Sequence, residues 1–153
     1  MTNTEAVSAE APDLLALENQ VCFALAVASR SVLALYRPVL EPLGLTHPQY
    51  LVMLALWEES PRSVKGLGAA LQLEPATLSP LLKRLESAGL VRRERSRADE
   101  RVLDITLTDA GRQLRSEAEA IPTTIVSELG MSIDELDTLR STLHAVIAAA
   151  ARD

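Results

Sequence analysis

Nine cationic side chains fall between Arg62 and Arg101: Arg62, Lys65, Lys83, Arg84, Arg92, Arg93, Arg95, Arg97 and Arg101. Only five acids interrupt them, so the stretch carries +4. The rest of the chain holds six cations against 16 acids, and the whole sums to −6. An acidic protein that gathers its positive charge on one short stretch is equipped to bind a polyanion. The chemistry is phosphate neutralisation, which releases counterions and depends steeply on salt.

A second set of residues could do chemistry of another kind. Cys22 is the one cysteine, and the four aromatics Phe23, Tyr36, Tyr50 and Trp57 all lie within 35 residues of one another. Two readings stand. A lone cysteine packs as a small hydrophobe and the aromatics as ordinary core, or the aromatics wall a pocket for the thiol. The only histidines are His47 and His144, and no metal or phosphate motif occurs; Gly66-x-Gly68 is too short to count. A single cysteine excludes an internal disulfide framework and suits a reducing cytoplasm.

The elements that must position these residues can be read from caps and periods. At 153 residues and 48% apolar, the chain fits one domain with a real core, or one with appended helices. Residues 1–12 are polar and acidic without a basic start, which reads as a disordered tail rather than a signal peptide. No apolar run reaches the roughly 18 residues that would span a bilayer. Asp13 predicts the cap of a first helix running to about Tyr36, ended by Pro38 and Pro42. Thr46 and Gln49 form a capping box, with Leu45 and Tyr50 as its staple, for a helix ending near Glu59. Ser63 caps a short helix through Leu71. Pro75 suits the first turn of the next, which stops at Gly89. Pro80 leaves two options: a start at Ser79, or a local defect in the first turn.

After Gly89 the period changes to two. Val91–Arg95 and the alternation through Leu103, Ile105 and Leu107 predict a hairpin with its tip at 96–100. Thr108 caps a further helix that Pro122 should kink. Ser132 and Glu135 form a second capping box before a final amphipathic helix carrying Leu136, Leu139, Leu143 and Ile147. Helix, turn, helix and hairpin in this order make a winged helix-turn-helix, mainly α with a small β-hairpin wing. The second helix of the pair enters the major groove. Ala76, Thr77, Ser79 and Pro80 would meet base edges, with Lys83 and Arg84 nearer the phosphates. Arg95, Arg97 and Arg101 would reach an adjacent minor groove, with Asp99 pairing Arg101 to fix the tip. The bland alternative is a solvated basic hairpin in a protein-interaction module.

Two sets of three segments carry a family resemblance. Leu78-Ser-Pro-Leu-Leu-Lys-Arg-Leu-Glu-Ser-Ala-Gly-Leu90, Arg95-Ser-Arg-Ala-Asp-Glu-Arg101 and Leu107-Thr-Asp-Ala-Gly111 resemble the recognition helix, wing and following helix of MarR-family repressors. The resemblance implies a mostly helical homodimer on double-stranded operator DNA, with residues 13–45 and 109–153 as dimerisation helices and 46–108 as the DNA-binding part of one domain, 13–153. Glu18-Asn-Gln-Val-Cys-Phe-Ala-Leu25, Tyr36-Arg-Pro38 and Leu43-Gly-Leu-Thr-His-Pro-Gln-Tyr-Leu51 resemble the organic-hydroperoxide-sensing branch of that family, one-cysteine type.

That branch implies Cys22 as the redox sensor, its thiolate taking an oxygen from an organic hydroperoxide to give a sulfenic acid. Tyr36 and Tyr50 would support the thiol, with Phe23 and Trp57 as an apolar wall. Fourteen residues apart on one helix, Cys22 and Tyr36 would stand about 21 Å from each other, so the resemblance implies pairing with the partner subunit's tyrosine. Without a second cysteine, the sulfenate would pass to a mixed disulfide with a low-molecular-weight thiol, to a sulfenamide, or to over-oxidation. His47 stands where the family often has a second tyrosine. At the first position of a helix its cation is disfavoured, leaving a neutral imidazole that donates one hydrogen bond or only caps the helix. No cofactor or metal is implied. Two alternatives are a MarR-type repressor of a small phenolic or aromatic ligand with Cys22 structural, and a one-cysteine thiol peroxidase. Against the peroxidase, the arginine–threonine setting of such enzymes is not recognisable around Cys22.

Overall fold

The computed structural model describes residues 11–151, so the expected tail falls outside the described residues except for Ala11 and Pro12. The chain divides into two compact units between Ala34 and Leu35. In the first, Asp13 organises a tight turn instead of capping a long helix. Its carboxylate accepts the Leu15 N–H at 3.0 Å and its carbonyl accepts from the Asn19 side chain at 2.7 Å. A 3-10 turn follows at Leu17–Asn19, and helix α1 begins only at Val21. α1 then runs to Leu40, past Pro38. A proline in a helix's last turn removes a single backbone bond, too little to end it earlier. By length and mean hydropathy (1.4) Val21–Leu43 is apolar enough to cross a bilayer, contrary to the sequence expectation; it carries Arg30 and Arg37.

The second unit holds the core. α2 (His47–Glu58) opens on Thr46, and the capping box is closed in both directions through Gln49. Strand β1 (Arg62–Ser63) and α3 (Val64–Leu71) follow, with Ser63 capping α3 through the Gly66 N–H. α4 spans Pro75–Ser87. It starts at Pro75 with Pro80 inside it, which resolves the sequence ambiguity. The N–H that Pro80 lacks would have met the carbonyl of Ala76 in the solvent-facing first turn, where water can serve it. Gly89, at φ +78°, turns the chain into β2 (Val91–Arg95), which pairs antiparallel with β3 (Leu103–Leu107). β1 pairs with the other edge of β3, giving a three-stranded sheet in the order β1-β3-β2.

Past the sheet, α5 (Asp109–Ala118) is capped by Thr108. Pro122 does not kink one long helix. It lies in the first turn of a separate helix, α6 (Ile121–Leu129), where its missing N–H costs nothing. α7 (Ile133–Ala150) opens on the Ser132–Glu135 capping box. The core unites Leu40, Tyr50, Met53 and Leu56 with Leu67, Leu78, Leu82 and Leu85, the sheet residues Val91, Ile105 and Leu107, and Ile121 and Ile125. α7 buries none of its side chains, and Leu139 and Ile147 are each 45% exposed.

Candidate nucleic-acid interface and sensor residues

The recognition element is built by α4. Its apolar residues Leu78, Leu81, Leu82 and Leu85 are buried against the core, spaced at three and four. That leaves Ala76, Thr77, Ser79, Pro80, Lys83 and Arg84 exposed along the opposite side. The C-terminal end of α4 is tied to the wing. The Glu86 carboxylate accepts from the Arg93 backbone N–H at 3.1 Å and from its guanidinium at 3.0 and 3.2 Å. These bonds hold the Glu86 carboxyl below its ordinary pKa. At the wing tip Asp99 accepts from the Arg101 N–H at 3.0 Å and its guanidinium at 3.2 Å, and is likewise depressed, chiefly by the backbone bond. Arg95 donates to the Glu100 carbonyl, while Arg97 stands exposed.

The nine cations are therefore not equivalent. Arg62 is used inside the protein, donating to the Ala55 carbonyl at 3.0 Å beside Glu58 and Glu59. Arg92, Arg93 and Arg101 pair with Glu94, Glu86 and Asp99. Among the described residues, Lys65, Lys83, Arg84, Arg95 and Arg97 have no carboxylate within ion-pair distance. Three of these five, Lys83, Arg84 and Arg97, lie on the recognition helix or wing with side chains unengaged by carboxylates or carbonyls.

The residues expected to form a sensor fall into both units. In the first, Cys22 is exposed near the start of α1, not buried among aliphatics, and Phe23 beside it is 41% exposed. In the second, Tyr36, His47 and Tyr50 form one aromatic cluster. The Tyr36 ring meets His47 edge-on at 4.8 Å and lies 5.9 Å from Tyr50, with His47 and Tyr50 6.3 Å apart. Burial raises the pKa of Tyr36 above 10.0. Tyr50 is raised by burial first and by the neighbouring Tyr36 second. Both phenols are thus protonated donors at neutral pH. Burial lowers the His47 pKa below 6.5, so its ring is neutral there.

This shift has a measurable consequence. The folded state binds a proton at His47 more weakly than the unfolded chain, so His47 favours folding less as pH falls below 6.5. The stability present above that pH is lost progressively under it. His47→Gln removes the titration, so its melting temperature should gain on the wild type between pH 6.5 and 5; parallel curves would contradict this.

Trp57 lies beside the cluster. Its indole Nε1–H donates to the Gly111 carbonyl at 2.9 Å, a contact not read from the sequence. With Tyr50, Leu54, Arg115, Ala118 and Pro122, Trp57 lines a cavity of about 330 Å³ open to solvent. Arg115 on its rim pairs with Glu119 at 2.8 Å.

A buried-backed recognition helix followed by a paired wing defines a winged helix-turn-helix DNA-binding protein. Comparison with known proteins narrows the class. Residues 34–118 match the family described as transcriptional regulator SarA/Rot. The chain is 46% identical over 140 residues to the HTH-type transcriptional regulator TtmR of Methylorubrum extorquens, covering 87% of this chain and 72% of that protein. It is 43% identical to the organic hydroperoxide resistance transcriptional regulator of Bacillus subtilis, covering 88% and 92%. Reduced AbfR bound to DNA, a Staphylococcus epidermidis protein, superposes with TM-score 0.73 at 40% identity over 89% of this chain and 95% of that one. The chain belongs to the SarA/Rot and MarR family of winged-helix transcriptional regulators; it is not an enzyme.

Proposed function

We propose that this regulator is a cytoplasmic homodimeric repressor that releases its operator when an organic hydroperoxide oxidises Cys22. The observation that carries the reading is the exposed, solitary Cys22 in a chain 43% identical to a regulator of organic hydroperoxide resistance. The Cys22 thiolate attacks the terminal peroxide oxygen. The O–O bond breaks, the alkoxide leaves and takes a proton to become an alcohol, and sulfur gains a hydroxyl as the sulfenic acid. A small thiol then condenses with it, expelling water and leaving a mixed disulfide.

The exposed Cys22 region of one subunit meets the Tyr36–His47–Tyr50 cluster of the partner subunit. There the protonated phenols and neutral imidazole donate hydrogen bonds to the thiolate without themselves carrying charge. Phe23 and Trp57 add apolar surface that favours an organic over an inorganic peroxide. Residues 13–45 and 109–153 supply the dimer contacts; the exposed Val21, Leu139, Val146 and Ile147 fit that role. A gel-shift with and without tert-butyl hydroperoxide, using Cys22→Ser as control, tests the reading.

On DNA, Ala76, Thr77, Ser79 and Pro80 face the bases, with Lys83, Arg84, Arg95, Arg97 and Arg101 on phosphates or the minor groove and Asp99 steadying the tip. Among the described residues the Arg97 side chain has no carboxylate partner, so Arg97→Ala should lower the slope of log K against log salt by about one per subunit contact. Arg92→Ala, removing a cation already paired with Glu94, should change it less. Equal slopes in the two variants would contradict the assignment.

A second reading is favoured by one observation. The cavity between Tyr50, Trp57 and Arg115 offers aromatic walls to a small phenolic or aromatic ligand, although Glu58 and Glu119 also line it and Glu119 already pairs with Arg115. Under that reading Cys22→Ser responds to inducer as the wild type does.

A further inference from the structure

The contacts around the first turn of α5 form a continuous link between the aromatic cavity and the recognition helix. The Thr108 hydroxyl donates to the Gly89 carbonyl at 2.6 Å and accepts the Gly111 N–H at 3.1 Å. The Thr108 N–H donates to the Leu90 carbonyl at 3.1 Å. Gly89 and Leu90 are themselves bonded back to Glu86 and Leu85 at the end of α4, each at 3.0 Å. The Gly111 α-carbon is pressed against this turn, since a Cβ built on it would come within 2.2 Å of the Leu90 carbonyl oxygen. Trp57 holds the same turn of α5 from α2, through its indole bond to the Gly111 carbonyl.

We infer that Trp57 is a positioning residue for DNA binding, which sets the α4–wing junction from the cavity side through the Gly111 carbonyl. It acts through that carbonyl and not by touching DNA. One end of its side chain borders the cavity, and the other fixes the turn on which Gly89 and Leu90 rest. A disturbance at Tyr50 or within the cavity is passed to α4 as a shift of the α5 first turn. The geometry is well suited to this because the Gly111–Leu90 contact is backbone on backbone and has no flexible side chain to absorb movement. The inference deepens the proposed function and rests on it only for the nature of the signal.

The test compares wild type with Trp57→Phe, which keeps an aromatic ring and loses the N–H donor. Both are titrated with a duplex that the wild type selects from a random pool, before and after tert-butyl hydroperoxide. A net hydrogen bond contribution corresponds to about 2–10-fold in an equilibrium. The reduced variant should therefore bind about fivefold more weakly at a temperature where both proteins are fully folded, its melting temperature lower by only about 2–4 °C for the lost bond, and its further loss on oxidation should be smaller than the wild type's. Wild-type affinity and a wild-type loss in Trp57→Phe would overturn the inference. If the wild type ignores peroxide, the sensing proposal fails, while the comparison of reduced proteins still decides the role of Trp57. Should the variant melt early, the wild type supplies the answer, because Trp57 is the chain's only tryptophan. Its emission should shift as operator is added, and constant emission through saturation would overturn the link.

Discussion

Cys22→Ser should bind operator as tightly as the wild type and keep that grip in the presence of an organic hydroperoxide. The serine hydroxyl is nearly the size of the thiol, Cys22 is exposed within its own subunit, and a hydroxyl can accept the same hydrogen bonds from the partner's cluster, so neither fold nor dimer should change. The chemistry does change, because an alcohol is not oxidised to the equivalent of a sulfenic acid. With no other cysteine in the chain, no second thiol can take over. The wild type should lose at least tenfold in affinity, about 1.4 kcal/mol of coupling, and the variant nothing measurable. Release from Cys22→Ser at the same peroxide dose would remove Cys22 from the mechanism. Mass spectrometry adds a direct check, since the wild type alone should gain one oxygen, or one small-thiol adduct, at residue 22.

What the sequence revealed was local. Thr46 with Gln49, Ser63, Thr108, and Ser132 with Glu135 all cap helices where their spacing placed them, because a cap and its partner lie three residues apart. The exposure of Ala76, Thr77, Ser79, Pro80, Lys83 and Arg84 likewise follows from the spacing of four leucines. The misses have non-local causes. β1 is two residues long, too short to show a period, and exists because Arg62 pairs with Ile105. Pro38 read as a breaker, yet it falls in the last turn of α1, and Pro80, which read as a late start or a local defect, lies in the second turn of α4; in both the neighbouring packing outweighs one missing bond. Pro122 read as a kink where it begins a new helix. Of the site, the residue types were legible from the residues themselves, and the grouping of Tyr36, His47 and Tyr50 only through the family resemblance. The meeting of Tyr36, His47 and Tyr50 depends on how α1 ends and α2 begins, and Trp57 finds its acceptor 54 residues away. Two signals pointed to that last contact. An indole in a core needs an acceptor, and a glycine in the first turn of a capped helix, in Thr-Asp-Ala-Gly, marks a close approach of backbone.

That glycine carries the largest expected stability effect. On helix propensity alone Gly111→Ala should stabilise α5 by about 1 kcal/mol. The packing opposes it: the new methyl would stand 2.2 Å from the Leu90 carbonyl oxygen and 3.2 Å from the Leu107 side chain. Leu107 can rotate a little, but the Leu90 carbonyl cannot, since it accepts from Thr108 and belongs to the turn ending α4. α5 must therefore lift. Overpacking of this kind costs about 1–3 kcal/mol. Lifting also strains the bonds from Thr108 to Gly89 and from Trp57 to Gly111, each contributing about 1 kcal/mol. The losses exceed the propensity gain, leaving a net destabilisation of about 2–3 kcal/mol, or a melting temperature lower by roughly 5–10 °C for a domain of this size. Gln113→Ala, on the exposed side of the same helix, should shift it by no more than about 2 °C. Because the strained turn carries Gly89 and Leu90, Gly111→Ala should also weaken operator binding at temperatures where it remains folded. A Gly111→Ala protein that melts at or above the wild-type temperature would show that propensity wins, and that the contact between α5 and the α4–β2 turn is looser than 2.2 Å implies.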